Sequence, residues 1–225
     1  MKDKLQEILL GIEHENCWTN LVGDYVVKTL NFFVDTEKNY IRSIIILDKA
    51  HKDLISKIRK TNSFIDYVSL YLSESGKILF DFRKRYKGSV MDTIARHNGI
   101  IVDGFKYYGK EFWRILIYDS YLNELIEDLR SKGTLYVAKR NEFEIEPEDL
   151  SQQELKVLVT AYKSGYFDFP RRIKSDKVSK LVNISKSTFT YHLRSAEYKM
   201  IKKYIKELEF LNIINKIKEE KEEKD

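Results

Sequence analysis

The hydrophobic and polar positions of this chain change their spacing near Pro147. Before it, short apolar runs rich in Val, Ile, Tyr and Phe are typical of β-strands. The strand-like runs are YVVKTLNFFV, YIRSIIIL, FIDYVSLYL, KILFDFRKRY, IIVDGFKYY, EFWRILIY and TLYVAKRNEF. Three segments between them, DLISKIRKT, SVMDTIARHN and SYLNELIEDLRSKG, have helical spacing. After Pro147 only helical spacing is found, so NEFEIEPEDLS is the predicted linker.

The order of these elements predicts an α+β fold for the first part of the chain. Residues 76–143 give strand, helix, strand, strand, helix, strand, which is the plan of a ferredoxin-like sandwich. Residues 23–73 give strand, strand, helix, strand, a partial version of that plan. We therefore expect tandem βαβ units packed as one domain over residues 1–146. The element order also resembles ACT-type ligand-sensing or dimerising domains, although a fold alone does not assign a function.

Residues 147–225 are expected to form an all-α domain that contains a helix-turn-helix. Val178, Leu181 and Val182 recur at helical spacing and predict a helix near residues 175–182. Ser179 is the small residue on the face that a second helix must approach closely.

The turn that follows has side chains suited to a sharp change of direction. Asn183 lies where the backbone must turn, and asparagine enters the left-handed region at low cost. Ile184 is expected to fill the space between the helices. Ser185 is expected to be the N-cap of a second helix that begins at Lys186.

That second helix has one apolar stripe and one outward polar face. The stripe consists of Phe189, Leu193, Ala196 and Met200. The opposite face supplies the predicted base-reading residues Lys186, Ser187, Thr190, Tyr191 and Arg194. Arginine and lysine donate to guanine edges, hydroxyls reach bases or phosphates, and a methyl group or ring contacts thymine. Any amphipathic pair of helices shares much of this pattern.

A further helix is predicted upstream. Ser151 and Glu154 have the spacing of a capping box, so a helix should begin there and end near Gly165. Its expected apolar positions are Leu155, Leu158, Val159 and Tyr162. Pro170 then bars helix and favours extended geometry at Phe169.

The positive charge of the chain is concentrated around this predicted helix-turn-helix. Residues 151–206 carry 13 lysines and arginines against four aspartates and glutamates, a net charge of +9, whereas residues 1–150 carry 23 against 24. A local excess of this sign favours binding to a polyanion through counterion release. The predicted phosphate contacts are Arg171, Arg172, Lys174 and Ser185. A solvated basic loop is the alternative for the first three.

The segment LSQQELKVLVTAYKSGYFDFPRRI followed by VSKLVNISKSTFTYHLRSAEYKMI resembles the C-terminal helix-turn-helix of archaeal regulators of the bacterio-opsin-activator type. The resemblance covers about a quarter of the chain, and Asn183 replaces the commoner glycine. It implies sequence-specific binding of double-stranded DNA in an archaeal cytoplasm, beside the transcription machinery.

Beyond Ala196 the second helix is expected to continue as a long C-terminal helix. Its apolar positions are Ile201, Tyr204, Ile205, Leu208, Leu211, Ile214 and Ile217, before the charged run KEEKEEKD. Pairing with a second copy would make a homodimer, and packing on the N-terminal domain is the alternative. Asn212 and Asn215 interrupt a regular heptad pattern.

Candidate chemistry elsewhere in the chain is sparse. In the segment HENCWT, His14 and Cys17 could supply half of a metal site, but no second pair of ligands is evident. Cys17 and Trp18 are therefore expected to be core residues, and neither a metal nor a cofactor is predicted.

No catalytic motif is found, so an enzyme is not expected. A single cysteine and interrupted apolar runs favour a cytoplasmic protein without membrane spans.

These observations predict a sequence-specific DNA-binding transcription regulator whose N-terminal domain senses a small-molecule effector or mediates assembly. Two alternatives remain open. One is a ligand-binding or protein-interaction adaptor of the transcription machinery. The other is a non-specific nucleic-acid binder, which would need only the basic surface.

Overall fold

The protein divides into two compact units, residues 1–144 and 145–225. The structure is a computed structural model that describes residues 3–15, 17–143 and 150–207. Within these ranges, no helix has the length and apolar content needed to cross a membrane. Most of the predicted linker lies outside the described residues. So do the predicted helix positions Leu208, Leu211, Ile214 and Ile217.

The N-terminal unit is an α+β structure with one eight-stranded sheet. Its strands are β1 (Leu5–His14), β2 (Val27–Asp35), β3 (Tyr40–Asp48), β4 (Phe64–Leu72), β5 (Lys77–Arg85), β6 (Ile100–Tyr107), β7 (Lys110–Tyr118) and β8 (Gly133–Glu142). Its helices are α1 (Asp53–Ile58), α2 (Val90–Arg96) and α3 (Asp119–Lys132), with a 3-10 turn at Trp18–Leu21. Every strand except β1 matches a strand-like run of the sequence.

The sheet is antiparallel throughout, with the strand order β4-β5-β3-β2-β6-β7-β1-β8. With β1 included, the chain contains two successive repeats of strand, helix, strand, strand, helix, strand. The first repeat runs from β1 to β4 and the second from β5 to β8, and the 3-10 turn replaces one helix of the first repeat. The predicted pair of related units is therefore present, and the first unit is more complete than its sequence indicated.

The two repeats exchange their first strands. In a ferredoxin-like sheet the first strand lies between the third and fourth strands of its own repeat. Here β1 lies between β7 and β8, which belong to the second repeat, and β5 lies between β3 and β4, which belong to the first. Each half of the sheet is thus completed by a strand from the other repeat.

Each hydrophobic core of the N-terminal unit contains residues of an exchanged strand. Ile8, Leu10 and Ile12 of β1 alternate along the strand and pack with Trp113 of β7 and Leu125 of α3. The buried face of β5 contributes to the other core, beneath α1 and the 3-10 turn. Its members include Trp18, Val27, Ile45, Leu54, Phe80 and Phe82. Each core therefore includes side chains from a strand of the other repeat.

Over its described residues, 150–207, the C-terminal unit has three helices, α4 (Gln152–Lys163), α5 (Ser175–Leu181) and α6 (Lys186–Glu207). They pack around one core formed by Val157, Ala161, Val178, Val182, Phe189 and Leu193. The predicted all-α helix-turn-helix is present, and its last helix is long.

Candidate nucleic-acid interface

The turn between α5 and α6 has the geometry that its sequence predicted. Asn183 has a φ of 59°, in the left-handed region. The next amide, that of Ile184, donates to the Ser179 carbonyl over 3.0 Å. The Ser185 hydroxyl accepts the Thr188 amide over 3.1 Å and so caps α6. These contacts fix the direction in which α6 leaves the turn.

The contact between α5 and α6 is close because the residues between them are small or well matched in shape. Ser179 is buried, and its hydroxyl donates to the Asp176 carbonyl instead of occupying the interface. Ile184 is partly buried against Phe189 and the rest of the core. Leu181, which the sequence placed on the packed face, is instead 62% exposed. Val178 and Val182 already fill the side of α5 that faces α6.

Helix α4 begins with the predicted capping box and is held to α6 through the same glutamate. The Ser151 hydroxyl accepts the Glu154 amide, and the Glu154 carboxylate accepts the Ser151 amide. The carboxylate also accepts the Ser195 hydroxyl at 2.6 Å and the Lys199 ammonium at 2.8 Å. The hydrogen bond from Lys199 is the largest cause of the lowered pKa of Glu154, which is about 2. The sequence indicated the cap but not this connection between helices.

Most of the residues predicted to form the buried apolar stripe of α4 are exposed. Leu158 packs against the core, but Leu155, Val159 and Tyr162 are exposed, Tyr162 by 74%. The helix is oriented by Glu154, Val157 and Ala161, which face α5 and α6. The exposed residues lie at spacings of four and three, so they form a second apolar stripe that periodicity alone cannot distinguish from the first.

Helix α4 ends as its sequence predicted. Gly165 has a φ of +78°, which suits a residue without a side chain. A β-carbon at this position would also lie 2.6 Å from Nε of Arg172, so that side chain would have to shift.

Helix α6 buries Phe189, Leu193 and Ala196 as expected, but Met200 is 50% exposed. The reason is the length of α4. Because Glu154 in the first turn of α4 already meets Ser195 and Lys199, α6 runs past the start of α4 from this point. No described element of the C-terminal unit remains to cover the side chain of Met200.

The five predicted base-reading residues lie at the start of α6, and their side chains differ in availability. Lys186, Tyr191 and Arg194 are exposed, Tyr191 by 70%. Within the described residues neither Lys186 nor Arg194 forms an ion pair. The Thr190 hydroxyl donates to the Lys186 carbonyl over 2.9 Å, and the Ser187 hydroxyl lies 2.8 Å from that of Ser185. The hydroxyls of Ser187 and Thr190 are thus already engaged locally.

All four predicted phosphate-contacting residues are exposed, and three of them lie before α5, whereas Ser185 lies just before α6. The Arg171 guanidinium lies over the Tyr166 ring, 4.5 Å from its centroid. Arg172 pairs with Asp168, so part of its charge is offset. Lys174 is exposed, and its carbonyl accepts the amides of Lys177 and Val178 at the start of α5.

Comparison with known proteins agrees with this geometry. Residues 150–202 match the family described as HTH DNA binding domain. The transcriptional regulator NarO of Haloferax volcanii is 35% identical over 57 residues, 25% of this chain and 27% of the relative. The bacterioopsin transcriptional activator of Halobacterium salinarum is 36% identical over 59 residues, 26% of this chain and 9% of the relative.

The matches span little more than a quarter of NarO and less of the activator. The family match falls on the residues that form α4, α5, the turn and the first part of α6. Residues 150–202 of the C-terminal unit therefore form a helix-turn-helix that matches the family of HTH DNA binding domains.

Proposed function

We propose that this protein is a transcription regulator that binds specific sequences of double-stranded DNA through the exposed face of α6. The observation that carries this proposal is the exposure of Lys186, Tyr191 and Arg194 on the second helix of a helix-turn-helix. In such domains the second helix lies in the major groove and its N-terminal residues contact base edges. The net charge of +9 over residues 151–206 would add sequence-independent affinity.

The available groups suggest how the base contacts divide. Arg194 and Lys186 would donate to guanine O6 and N7, which is the commonest specific contact. The Thr190 hydroxyl is used within the helix, so its methyl group and the Tyr191 ring would contact thymine methyls. The Ser187 hydroxyl can reach a base or a phosphate by leaving Ser185.

Phosphate contacts would fix the position of the domain on the duplex. Arg171 and Lys174 are exposed beside the start of α5, and Arg172 would have to share its charge with Asp168. Ser185 caps α6, so the first amides of that helix point toward the same surface and suit a phosphate oxygen.

The N-terminal unit would be the regulatory part, with a role in sensing or assembly. A cleft of about 540 Å³ between α1 and the β4 edge offers apolar walls and basic rim residues for a small-molecule effector. Its lining includes Lys49, Lys52, Arg59, Leu70, Leu72 and Ile78. The edge strand β4 exposes Ile65, Tyr67 and Tyr71, which supports an assembly role instead.

A homodimer is supported by the exposed apolar residues along α6. Tyr198, Ile201, Tyr204 and Ile205 have no cover within the described part of the C-terminal unit. Pairing of this helix with a second copy would bury them. In a dimer the two DNA half-sites would be separated by about 34 Å, one helical turn, or by a multiple of it.

The test is a titration of the full chain against labelled genomic fragments over a series of salt concentrations. We expect one class of fragments to bind on the order of 10³-fold more tightly than the rest, with affinity that falls as salt rises. Equal affinity for all fragments would instead favour the non-specific binder. Absence of salt-dependent binding would favour the adaptor of the transcription machinery.

A further inference from the structure

A compact group of metal-ligating side chains lies in the N-terminal unit, where the end of β1 meets the start of β7. His14 is the last residue of β1, Cys17 immediately precedes the 3-10 turn, and Glu111 is the second residue of β7. His14 Nε2 lies 2.8 Å from Glu111 Oε1. One ligand atom from each of the three residues lies within 4.8 Å of the other two.

The carboxylate of this group is incompletely satisfied. The side chain of Glu111 is only 1% exposed, and its Oε2 has no hydrogen-bond partner within the described residues. A buried carboxylate oxygen without a hydrogen-bond partner is costly, and a metal ion bound to it would offset that cost. The His14 side chain is 19% exposed, so the group can be reached from solvent.

We infer that His14, Cys17 and Glu111 form a binding site for a divalent zinc ion. Imidazole nitrogen, thiolate sulfur and carboxylate oxygen are the three ligand types that zinc takes in proteins. Three protein ligands leave the fourth tetrahedral position open to water or to an exogenous ligand. Thiolate and imidazole together favour zinc over magnesium or calcium, which prefer oxygen ligands alone.

The rearrangement needed for this site is small. Zinc bonds of about 2.0–2.3 Å in a tetrahedron separate the ligand atoms by roughly 3.4–3.6 Å. The His14 and Glu111 atoms would move apart from 2.8 Å, and the remaining separations, at most 4.8 Å, would shorten. Each of these separations would therefore change by little more than about 1 Å.

Two buried lysines beside the site provide a test of metal binding. Lys84 and Lys106 are buried and both act on Glu111. The Nζ of Lys106 lies 3.0 Å from Thr29 Oγ1. A metal ion would be repelled by these ammonium groups, so removing one should tighten metal binding.

Cobalt(II) titration of the purified full chain, followed by zinc competition, tests the inference. The chain contains a single cysteine, so a sulfur-to-cobalt charge-transfer band can come only from Cys17. We expect one equivalent of cobalt to give this band with tetrahedral ligand-field bands, and zinc to abolish both. X-ray absorption of the zinc-loaded chain should find one sulfur ligand together with nitrogen and oxygen ligands.

Matched variants assign the ligands. Cys17→Ser should lose the charge-transfer band, and Glu111→Gln and His14→Gln should each weaken zinc binding by at least about 10-fold to 100-fold. Lys84→Met should bind zinc more tightly than the natural chain. His51→Gln is the control, because His51 stacks on Tyr25 and is not one of the three proposed ligands, so binding should be unchanged.

The inference is overturned if the natural chain gives no charge-transfer band with excess cobalt. It is also overturned if the band survives unchanged in both Glu111→Gln and His14→Gln, since cobalt would then bind Cys17 adventitiously. These outcomes are read from the natural chain or from variants checked by circular dichroism. None of them depends on DNA binding, so the metal site and the proposed function can fail separately.

Discussion

At the scale of the residue, two exposed arginines of the C-terminal unit are expected to contribute differently to DNA binding. Arg194 and Arg171 are both exposed arginines, but one lies on the outward face of α6 and the other precedes α5. A base contact and a phosphate contact have different signatures, because only the first carries sequence information. The two arginines are therefore a natural matched pair.

We expect Arg194→Ala to relax sequence preference and to cost about 1–3 kcal/mol at the preferred site, the value of a bidentate contact to guanine. Arg171→Ala should weaken binding to all sequences alike and reduce the salt slope by about 1. Competition titrations with preferred and scrambled duplexes measure both effects. Identical behaviour of the two variants would contradict the assignment.

The network around Glu154 makes a prediction about acid stability. The folded pKa of about 2 lies below the ordinary value of 4.5, mainly because of the hydrogen bond from Lys199. A lowered pKa stabilises the folded state above the unfolded pKa, and this stabilisation is lost as the pH falls from about 4.5 toward 2. Glu154→Gln should therefore melt below the natural chain at about pH 6, and the difference should shrink by about pH 3.

Thermal unfolding followed by circular dichroism over that pH range is the measurement. Glu197→Gln, also on α6, is the matched control, since Glu197 has no ion pair among the described residues. It should melt like the natural chain at both pH values. A constant difference between Glu154→Gln and the natural chain at every pH would show that the charge of Glu154 is not the cause.

At the scale of the element, the sequence predicted helix caps and turns well, because each is decided by a few neighbouring residues. The capping box at Ser151, the left-handed Asn183 and the N-cap Ser185 depend on a few neighbouring residues, and all were confirmed. Burial was predicted less well. Leu155, Leu181 and Met200 satisfy a helical pattern but are exposed, because the partners that decide burial come from other helices.

The turn between α5 and α6 provides the prediction at this scale. Asn183→Val should lower the free energy of unfolding of the C-terminal unit by about 1–2 kcal/mol, because a β-branched residue is strained at a positive φ. Asn183→Gly should retain stability and DNA binding, since glycine adopts this backbone without strain. Chemical denaturation gives both values. Equal stability of the valine and glycine variants would mean that the turn does not constrain the domain.

At the scale of the whole molecule, the exchange of β1 and β5 could not be predicted from the sequence. Element order indicated two related units, but strand order depends on pairings between residues far apart, such as Leu10 with Trp113. The proposed metal site also joins residues that are far apart in the sequence, since Glu111 is 97 residues from His14. Only the half contributed by HENCWT is visible in the sequence.

The exchange predicts that the N-terminal unit unfolds as one cooperative body. Ile8→Ala in β1 removes a fully buried side chain from the core with β7 and α3, at a cost of about 2–5 kcal/mol. Because β1 is continuous with the first repeat, amides of β3 and β7 should lose protection by similar amounts. Native-state hydrogen exchange measures this. Loss of protection confined to β7 and β8 would indicate two independent halves.

The central claim is that α6 reads DNA sequence. Selection from a random pool of duplexes by the full chain, with Arg194→Ala in parallel, tests it most directly. The account predicts a recurrent motif for the natural chain, and loss of preference at one defined position for the variant. Recovery of no motif by the natural chain, with binding that depends only on salt, would contradict it.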